Sequence, residues 1–203
     1  YDTKQNTVSK METYLETLEF YNELFLVDYM FDDKMEVLLG ITTYSYKRLK
    51  EIVDHELYNA IVGRSTIRVL IENYIMMKYL SIKESDQPNI WHDFKVYGLG
   101  QYELISKKWF ENKVEYENPH VNFDYLSVIS KEIKDENILD MDTSYFMKKG
   151  IRDKAIEVDE KKLYDLFYDY DSAFEHGLWG AIRESSMLRC DQISHQLHTV
   201  PDV

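Results

Sequence analysis

The sequence predicts an all-α protein in which residues 1–203 form a single-domain bundle of six or seven helices. Three observations support this prediction. Apolar residues recur every three or four positions along several long stretches, which is the period of an amphipathic helix. The chain contains only 7 Gly and 3 Pro, too few for the many tight turns of a sandwich or barrel. Hydrophobic residues make up 44% of the 203 residues, enough for a buried core.

Four helices are predicted in the N-terminal half of the chain. The first runs from Ser9 to about Met30 and begins with a capping-box pattern, in which Ser9 is followed by Glu12. The second covers residues 34–54 and the third residues 56–83. A fourth, over residues 90–113, follows Asn89 as its N-cap. Each of these stretches has an apolar face of the length expected for a core helix.

The C-terminal half begins with a connection over residues 114–120, a shorter helix that starts near Phe123, and an acidic loop over residues 134–143. The longest helical pattern is then Leu163–Cys190. At about 100° per residue, it places one apolar stripe on one side and a polar stripe on the other. The apolar stripe contains Leu163, Phe167, Tyr170, Phe174, Leu178, Ala181 and Leu188, and the polar stripe contains Asp165, Asp169, Ser172, His176, Gly180 and Arg183.

A charged residue interrupts the apolar face of the third predicted helix. Leu57, Ala60, Ile61, Ile71 and Ile75 share this face, and Arg68 lies close to its centre. Glu72 follows one turn later, the spacing of an i,i+4 ion pair. Since an unpaired buried charge costs several kcal/mol, we expect Arg68 to be mostly buried and bonded to Glu72 or another carboxylate. The pair either fixes the packing of the helix or faces a functional site.

Charge and cysteine content limit the classes of function. A net charge of −13 repels a phosphate backbone at long range, which disfavours RNA as a partner. The basic clusters at residues 47–50 and 148–154 are typical of solvated helix faces. A single cysteine suits a reducing compartment, and no apolar run reaches the roughly 18 residues of a membrane span. We therefore expect a cytoplasmic protein without membrane contact.

The sequence contains little that would hold a cofactor or metal. His195 and His198 are three residues apart and follow Cys190, a combination that suits zinc but is a weak signal near a chain end. No Gly-rich phosphate loop, nucleophile elbow or Cys-x2-Cys pair is present. We expect neither a cofactor nor a bound metal.

Four short patterns occur in a familiar order. They are Arg68-x3-Glu72, the Gly-Ile-Arg of residues 150–152, Tyr170-x-Ser172-x3-His176-Gly177, and His195 and His198 before Pro201. In this order they resemble a large family of uncharacterised bacterial all-α proteins, classified as a domain of unknown function. The resemblance covers residues 64–201. It implies a helical bundle of bacterial genomes, sometimes in defence-related neighbourhoods, and no established chemistry.

A second, more distant resemblance involves Arg48 and His55. Six residues separate them, which is similar to the Arg-x4–6-His motif of the HEPN ribonuclease superfamily. That superfamily uses Arg and His on a helical bundle to cleave RNA. The resemblance implies that HEPN-like ribonuclease activity belongs among the functional hypotheses for this chain.

Two functional hypotheses follow. In the first, the protein is a defence- or toxin-type effector whose catalytic residues are Arg68, Glu72, Ser172, His176 and Arg183. An acid-oriented His176 would act as general base near neutral pH, and an arginine would stabilise developing negative charge. In the second, the protein is a non-catalytic interaction module with Arg68–Glu72 as a structural ion pair. Its 17 Tyr and 3 Trp suit contacts with a protein partner or a homo-oligomer.

Overall fold

The predicted all-α class is confirmed. The computed structural model describes residues 3–27, 32–112, 121–132, 145–190 and 199–202, and most of these residues are helical. Within the described residues before position 133, the α-helices are α1 (Thr3–Val27), α2 (Asp33–Asp54), α3 (Ile61–Lys83), α4 (Ile90–Asn112) and α5 (Phe123–Glu132). A 3-10 turn over Leu57–Asn59 lies between α2 and α3. The predicted loops at 114–120 and 134–143 lie outside the described residues.

The C-terminal part contains shorter helices and one small sheet. A 3-10 turn over Phe146–Lys148 precedes α6 (Ile151–Glu157). α7 (Lys161–Leu163) continues through a π-helical turn, Tyr164–Tyr168, into α8 (Asp169–Glu175). α9 (Trp179–Ser186) is followed by the antiparallel strands β1 (Met187–Arg189) and β2 (Thr199–Pro201), in which Leu188 pairs with Val200. None of the described helices is long and apolar enough to cross a membrane.

The chain divides into two compact units. The first comprises residues 1–30, 38–79 and 151–203, and the second comprises residues 31–37 and 80–150. The prediction that the whole chain forms one domain stays a prediction. Every candidate catalytic residue belongs to the first unit.

The core of the first unit is built from the inward faces of its helices. Its fully buried members include Ile75 and Tyr79 of α3 and Ala155 of α6, with exposures of 0–1%. The other buried apolar residues described in this unit are Met11, Ile52, Val53, Ile71, Val158, Tyr168, Phe174 and Ala181. Burial of the aliphatic, Met and Phe side chains larger than alanine contributes roughly 1.5–3 kcal/mol each. The core therefore fixes α3 against the segment that contains α6–α8.

The second unit is held by aromatic contacts and by charges at the start of α2. The ring centroid of Phe146 lies 5.3 Å from that of Phe94, and Trp109 of α4 lies 5.4 Å from Phe123 of α5. Lys95 Nζ lies 2.6 Å from Asp33 Oδ1, and this hydrogen bond holds the pKa of the Asp33 carboxyl below its usual range. Asp32 Oδ1 accepts the Met35 N–H at 2.8 Å and thereby caps α2.

Two predicted helix starts were wrong. The first helix begins at Thr3 rather than at Ser9, so the capping-box pattern does not mark its start. The third begins at Ile61 because Ala60 has an extended backbone and Glu56 a left-handed one, with φ 54°. Gly63 permits this sharp connection, since a Cβ there would lie 1.8 Å from the Leu57 carbonyl oxygen. Ile61 is consequently half exposed and not part of the buried face.

The continuous helix predicted over residues 163–190 was also wrong. α8 ends in a Schellman motif, in which the Leu178 N–H donates to the Ala173 carbonyl and the Gly177 N–H to the Phe174 carbonyl. Gly177 has a φ of 58°, the left-handed conformation that this motif requires and that glycine adopts without strain. The chain therefore changes direction at Gly177, before α9.

The prediction that the basic residues of 148–154 lie on a solvated face was wrong for Lys154. Lys154 of α6 is only 2% exposed, and its ammonium lies 5.6 Å from the centroid of the Tyr79 ring. A lysine stem packs like an apolar side chain, and the aromatic face stabilises its charge. Lys154 is therefore a core residue of the first unit.

Candidate functional site

Polar side chains of α3 meet the segment 160–184 at three successive levels. Tyr74 and Lys78 contact Glu160, Arg68 contacts Tyr168, and Arg64 contacts Asp171. The residue numbers rise along one segment as they fall along the other, so the two run antiparallel. α3 thus carries a row of donors and cations that is paired, level by level, with hydroxyls and carboxylates.

The central level contains the predicted pair of Arg68 and Glu72. Arg68 Nη1 lies 3.6 Å from Glu72 Oε2, and the Arg68 side chain is 18% exposed. The expected burial and pairing of Arg68 are therefore confirmed. Tyr168 joins the pair: Arg68 Nη2 donates to the Tyr168 hydroxyl at 2.7 Å, and that hydroxyl donates to Glu72 Oε2 at 3.4 Å.

Tyr168 is held in place by the π-helical turn. The turn stacks the Tyr164 ring on the Tyr168 ring, with centroids 4.6 Å apart, and the guanidinium of Arg68 lies 4.8 Å from the centroid of the Tyr168 ring. Burial, and then the neighbouring charge of Glu72, raise the pKa of Tyr168 well above its usual value. Its hydroxyl stays protonated and donates to Glu72, so each member of the Arg68–Tyr168–Glu72 cluster contacts the other two. The buried Nε of Arg68 has no hydrogen-bond partner among the described residues.

Arg64 forms a second cluster, one turn from the first. Its guanidinium lies 4.9 Å from the centroid of the Tyr170 ring and 4.8 Å from that of Phe174. Its Nη1 lies 3.9 Å from the buried Asp171, and its Nη2 lies 3.8 Å from Glu184 of α9. Burial raises the pKa of Asp171, and the Arg64 charge opposes that rise. This cluster connects α3, α8 and α9.

The third level consists of the ion pair between Lys78 and Glu160 and of a hydrogen bond from Tyr74 to the same carboxylate. Lys78 Nζ lies 2.6 Å from Glu160 Oε1, and the Tyr74 hydroxyl donates to the same oxygen at 2.8 Å. The hydrogen bond from Lys78 lowers the pKa of Glu160. Glu160 directly precedes α7, so this level fixes where the α7–α8 segment begins along α3.

The remaining predicted site residues are not part of these clusters. Ser172 is half buried in α8, His176 is exposed at the end of α8, and Arg183 is exposed in the last turn of α9. Within the described part of the chain, none of their side chains forms a hydrogen bond or ion pair with Arg68 or Glu72. His176 lies eight residues from Tyr168, about 12 Å along a helix axis. Arg68 and Glu72 therefore form one pair, to which Ser172, His176 and Arg183 do not belong.

We expect His176→Ala to change the free energy of unfolding by no more than about 0.5 kcal/mol, since exposed substitutions away from structural contacts rarely do more. The measurement is urea denaturation of both proteins under the same conditions. Phe174→Ala, two residues earlier and buried, is the positive control and should cost about 3–5 kcal/mol. A His176→Ala variant as unstable as Phe174→Ala would mean that the imidazole packs within the fold.

Sequence reasoning missed the two residues that organise these clusters, Tyr168 and Arg64. Both lie in the patterns that were analysed, Tyr168 next to the apolar stripe and Arg64 one turn before Arg68. Arg64 and Arg68 are four residues apart on α3, and Asp171 falls one turn after Tyr168. The two basic residues of α3 and their two partners on the other segment are thus each about one helical turn apart. This equal spacing is the sequence signal that would have identified Tyr168 and Arg64.

Arg48 and His55 were candidates for RNA cleavage, and Cys190 was a candidate zinc ligand. Arg48 donates through Nε to the Tyr44 hydroxyl at 2.7 Å, and its guanidinium lies over the Tyr44 ring. His55 is exposed directly after α2 ends. Cys190, the single cysteine of the sequence, is half buried. His195 and His198 lie outside the described residues.

The predicted apolar stripe of residues 163–188 is largely exposed. Phe167 is 53% exposed and Leu178 is 56% exposed. A π-turn contains about one residue more than an α-turn, so Tyr168 takes the inward position in place of Phe167. Six large apolar side chains of the segment 164–182 are exposed, and together we call them the aromatic face: Leu166, Phe167, Tyr170, Leu178, Trp179 and Ile182.

Exposed acidic residues lie close in sequence to the residues of the aromatic face. Asp165, Asp169 and Glu175 are exposed on the helix that carries Phe167, and Glu184 is exposed on α9. Asp165 pairs with Lys161, and the Tyr170 hydroxyl donates to Glu184. The face therefore combines exposed rings with exposed carboxylates.

Comparison with known proteins places the chain in a family. Neither the curated proteins nor the solved structures contain a significant match. Residues 35–195 match the model of a family described as a family of unknown function, DUF5677. The match spans α2 to α9 and includes Arg68, Glu72, Ser172, His176 and Arg183. Since it covers well over half of the 203 residues, the chain belongs to this family of unknown function.

Proposed function

We propose that the protein is a non-catalytic helical interaction module, whose aromatic face binds a basic amphipathic helix of a partner protein. The observation that carries the proposal is the exposure of Phe167, Leu178 and Trp179, at 53%, 56% and 63%. Clustered exposed apolar side chains mark interaction surfaces on stable proteins. Tyr, Trp and Phe are also the residues that most often anchor interfaces.

The charge distribution selects the type of partner. The chain has a net charge of −13, and Asp165, Asp169 and Glu175 flank the exposed rings. A second copy would bring the same acidic surface and repel, and RNA would be repelled in the same way. A helix with an apolar stripe and basic flanks complements the rings with its apolar side chains and the carboxylates with its lysines or arginines.

The Arg68–Tyr168–Glu72 cluster supports a structural role for the predicted ion pair. Both terminal nitrogens of Arg68 already have partners within the cluster, and its Nε is fully buried. Because the Arg68 side chain is only 18% exposed, little of this guanidinium is open to a substrate phosphate. In this proposal the cluster positions the π-turn, and the π-turn presents Phe167 at the surface.

A second candidate function is the effector hypothesis, with Arg68, Glu72, Ser172, His176 and Arg183 as catalytic residues and HEPN-like cleavage of RNA as the reaction. The observation that favours it is the exposure of His176 and Arg183, which leaves both side chains open to a ligand. A reducing, cytoplasmic setting in a bacterial cell, with a role in phage defence, is the context that we propose for either function. Loss of RNA cleavage in a folded His176→Ala variant would favour the effector.

The proposed function is tested with a synthetic Leu–Lys amphipathic helical peptide and isothermal titration calorimetry. We expect the wild-type protein to bind this peptide. We expect no binding of a Leu–Glu peptide that has the same spacing of leucines. Phe167→Ala should weaken binding about tenfold, the loss of one anchor of about 1.4 kcal/mol. Phe20→Ala is the matched control, because Phe20 is 58% exposed on α1, outside the aromatic face. Equal affinity of the two variants would contradict the proposal.

A further inference from the structure

A cleft separate from the aromatic face lies between α1, α2 and α3. Its volume is about 350 Å³, within the range of small-molecule sites. The walls are formed mainly by apolar side chains and rings, and polar groups are few. The lining residues are Thr7, Lys10, Met11, Tyr14, Ser45, Tyr46, Leu49 and Leu70. A cleft of this composition suits a ligand with an apolar body.

Two polar groups of the cleft, Ser45 and Lys10, can each donate a hydrogen bond to a ligand. Ser45 Oγ accepts a hydrogen bond from Asn73 Nδ2 at 3.1 Å, which leaves the Ser45 hydroxyl hydrogen to donate. Lys10 is exposed, and its ammonium forms no ion pair with any described residue. A ligand that satisfies both groups must supply acceptors. A negative charge on those acceptors would also pair with Lys10.

The apolar part of the cleft is continuous with buried residues. Met11 is 8% exposed, and the Tyr14 and Tyr46 rings lie with their centroids 6.1 Å apart. Burial raises the pKa of Tyr14 above its usual value, so its hydroxyl remains a neutral donor. The surroundings therefore favour an apolar chain or ring at the inner end of the cleft and an acceptor near Lys10.

We propose that this cleft binds a small amphipathic carboxylate, with its apolar body against Met11 and Leu49 and its carboxylate at Lys10. The ligand class follows from the chemistry of the lining: the apolar walls disfavour a strongly hydrated sugar or nucleotide, and the Lys10 ammonium favours a negative charge over a positive one. The site contains no residue of the aromatic face. The ligand proposal is therefore independent of the proposed function, and each of the two can be tested without the other.

The test uses decanoate as the probe and decanol, which has the same chain length and no charge, as its comparison. We expect decanoate to bind the wild-type protein at one site by calorimetry and to shift the methyl resonance of carbon-13-labelled Met11. Lys10→Gln should weaken decanoate binding about fivefold, the effect of losing one exposed ion pair of about 1 kcal/mol. It should leave decanol binding unchanged.

Two variants make the result specific. Lys47→Gln removes an exposed lysine of α2 that does not line the cleft, and it should bind decanoate as the wild type does. Phe167→Ala should also bind decanoate normally, which separates this cleft from the aromatic face. Absence of decanoate binding, equal effects of the two lysine substitutions, or loss of binding in Phe167→Ala would each overturn the proposal.

Discussion

Arg68→Ala is expected to lower the free energy of unfolding by about 2–4 kcal/mol. The substitution removes the guanidinium that donates to Tyr168 and pairs with Glu72. It leaves the hydroxyl of a buried tyrosine with one partner fewer and the Glu72 carboxylate without its cation. It also removes the contact between the guanidinium and the Tyr168 ring. The partial exposure of Glu72 keeps the expected loss below that of a fully buried pair.

The measurement is urea denaturation at neutral pH, with Arg183→Ala as the matched control. Arg183 is exposed in the last turn of α9, so its removal should cost less than about 0.5 kcal/mol. Arg68→Lys should recover only part of the stability, because an ammonium cannot reproduce the planar contacts of a guanidinium. Equal stabilities of Arg68→Ala and Arg183→Ala would refute a structural role for the Arg68–Tyr168–Glu72 cluster.

Asp171→Asn is expected to change stability in a pH-dependent way. Burial raises the pKa of Asp171 in the folded protein, despite the nearby Arg64. Its ionisation therefore opposes folding: the stability it provides is present below its unfolded pKa, at about pH 4, and is lost as the pH rises towards neutrality. An amide in its place cannot ionise. The stability of the variant relative to the wild type should thus increase between pH 4 and pH 7.

Asp33→Asn provides a control of opposite sign. The hydrogen bond from Lys95 lowers the pKa of Asp33, so the stability contributed by this carboxylate is present above its unfolded pKa and is lost as the pH falls. Relative to the wild type, Asp33→Asn should become less stable as the pH rises. Both variants are compared by denaturant unfolding at a series of pH values. The same slope for the two variants would show that the burial of Asp171 has no energetic consequence.

Long periodic helices of this chain were predictable because local spacing determines them. The predicted second and fourth helices agree with α2 and α4 to within one residue at each end. The pair of Arg68 and Glu72 was predictable for the same reason, since both lie on one helix at i,i+4 spacing. Features set by a single element are thus visible in the sequence.

Features that depend on a change of helical period were not predicted. A helical wheel at 100° per residue cannot represent the π-turn at Tyr164–Tyr168. It therefore placed Phe167 on the apolar stripe, although Phe167 is exposed, and left out the buried Tyr168. The same wheel continued through Gly177, although the His-Gly pair at the end of an apolar helix is a usual C-terminal signal. The predicted polar stripe joined Ser172 to Arg183 for that reason, although a helix break separates them.

The partner-binding role of the aromatic face is tested most directly by the fluorescence of Trp179. This residue is 63% exposed on that face, whereas Trp91 is 3% exposed in the second unit. Trp91→Phe and Trp109→Phe substitutions leave Trp179 as the only tryptophan of the chain, and circular dichroism checks that this reporter protein is folded. We expect the Leu–Lys helical peptide to shift its emission to shorter wavelength, because the indole leaves water on binding. A folded reporter protein whose Trp179 emission stays unchanged at saturating peptide would contradict the account.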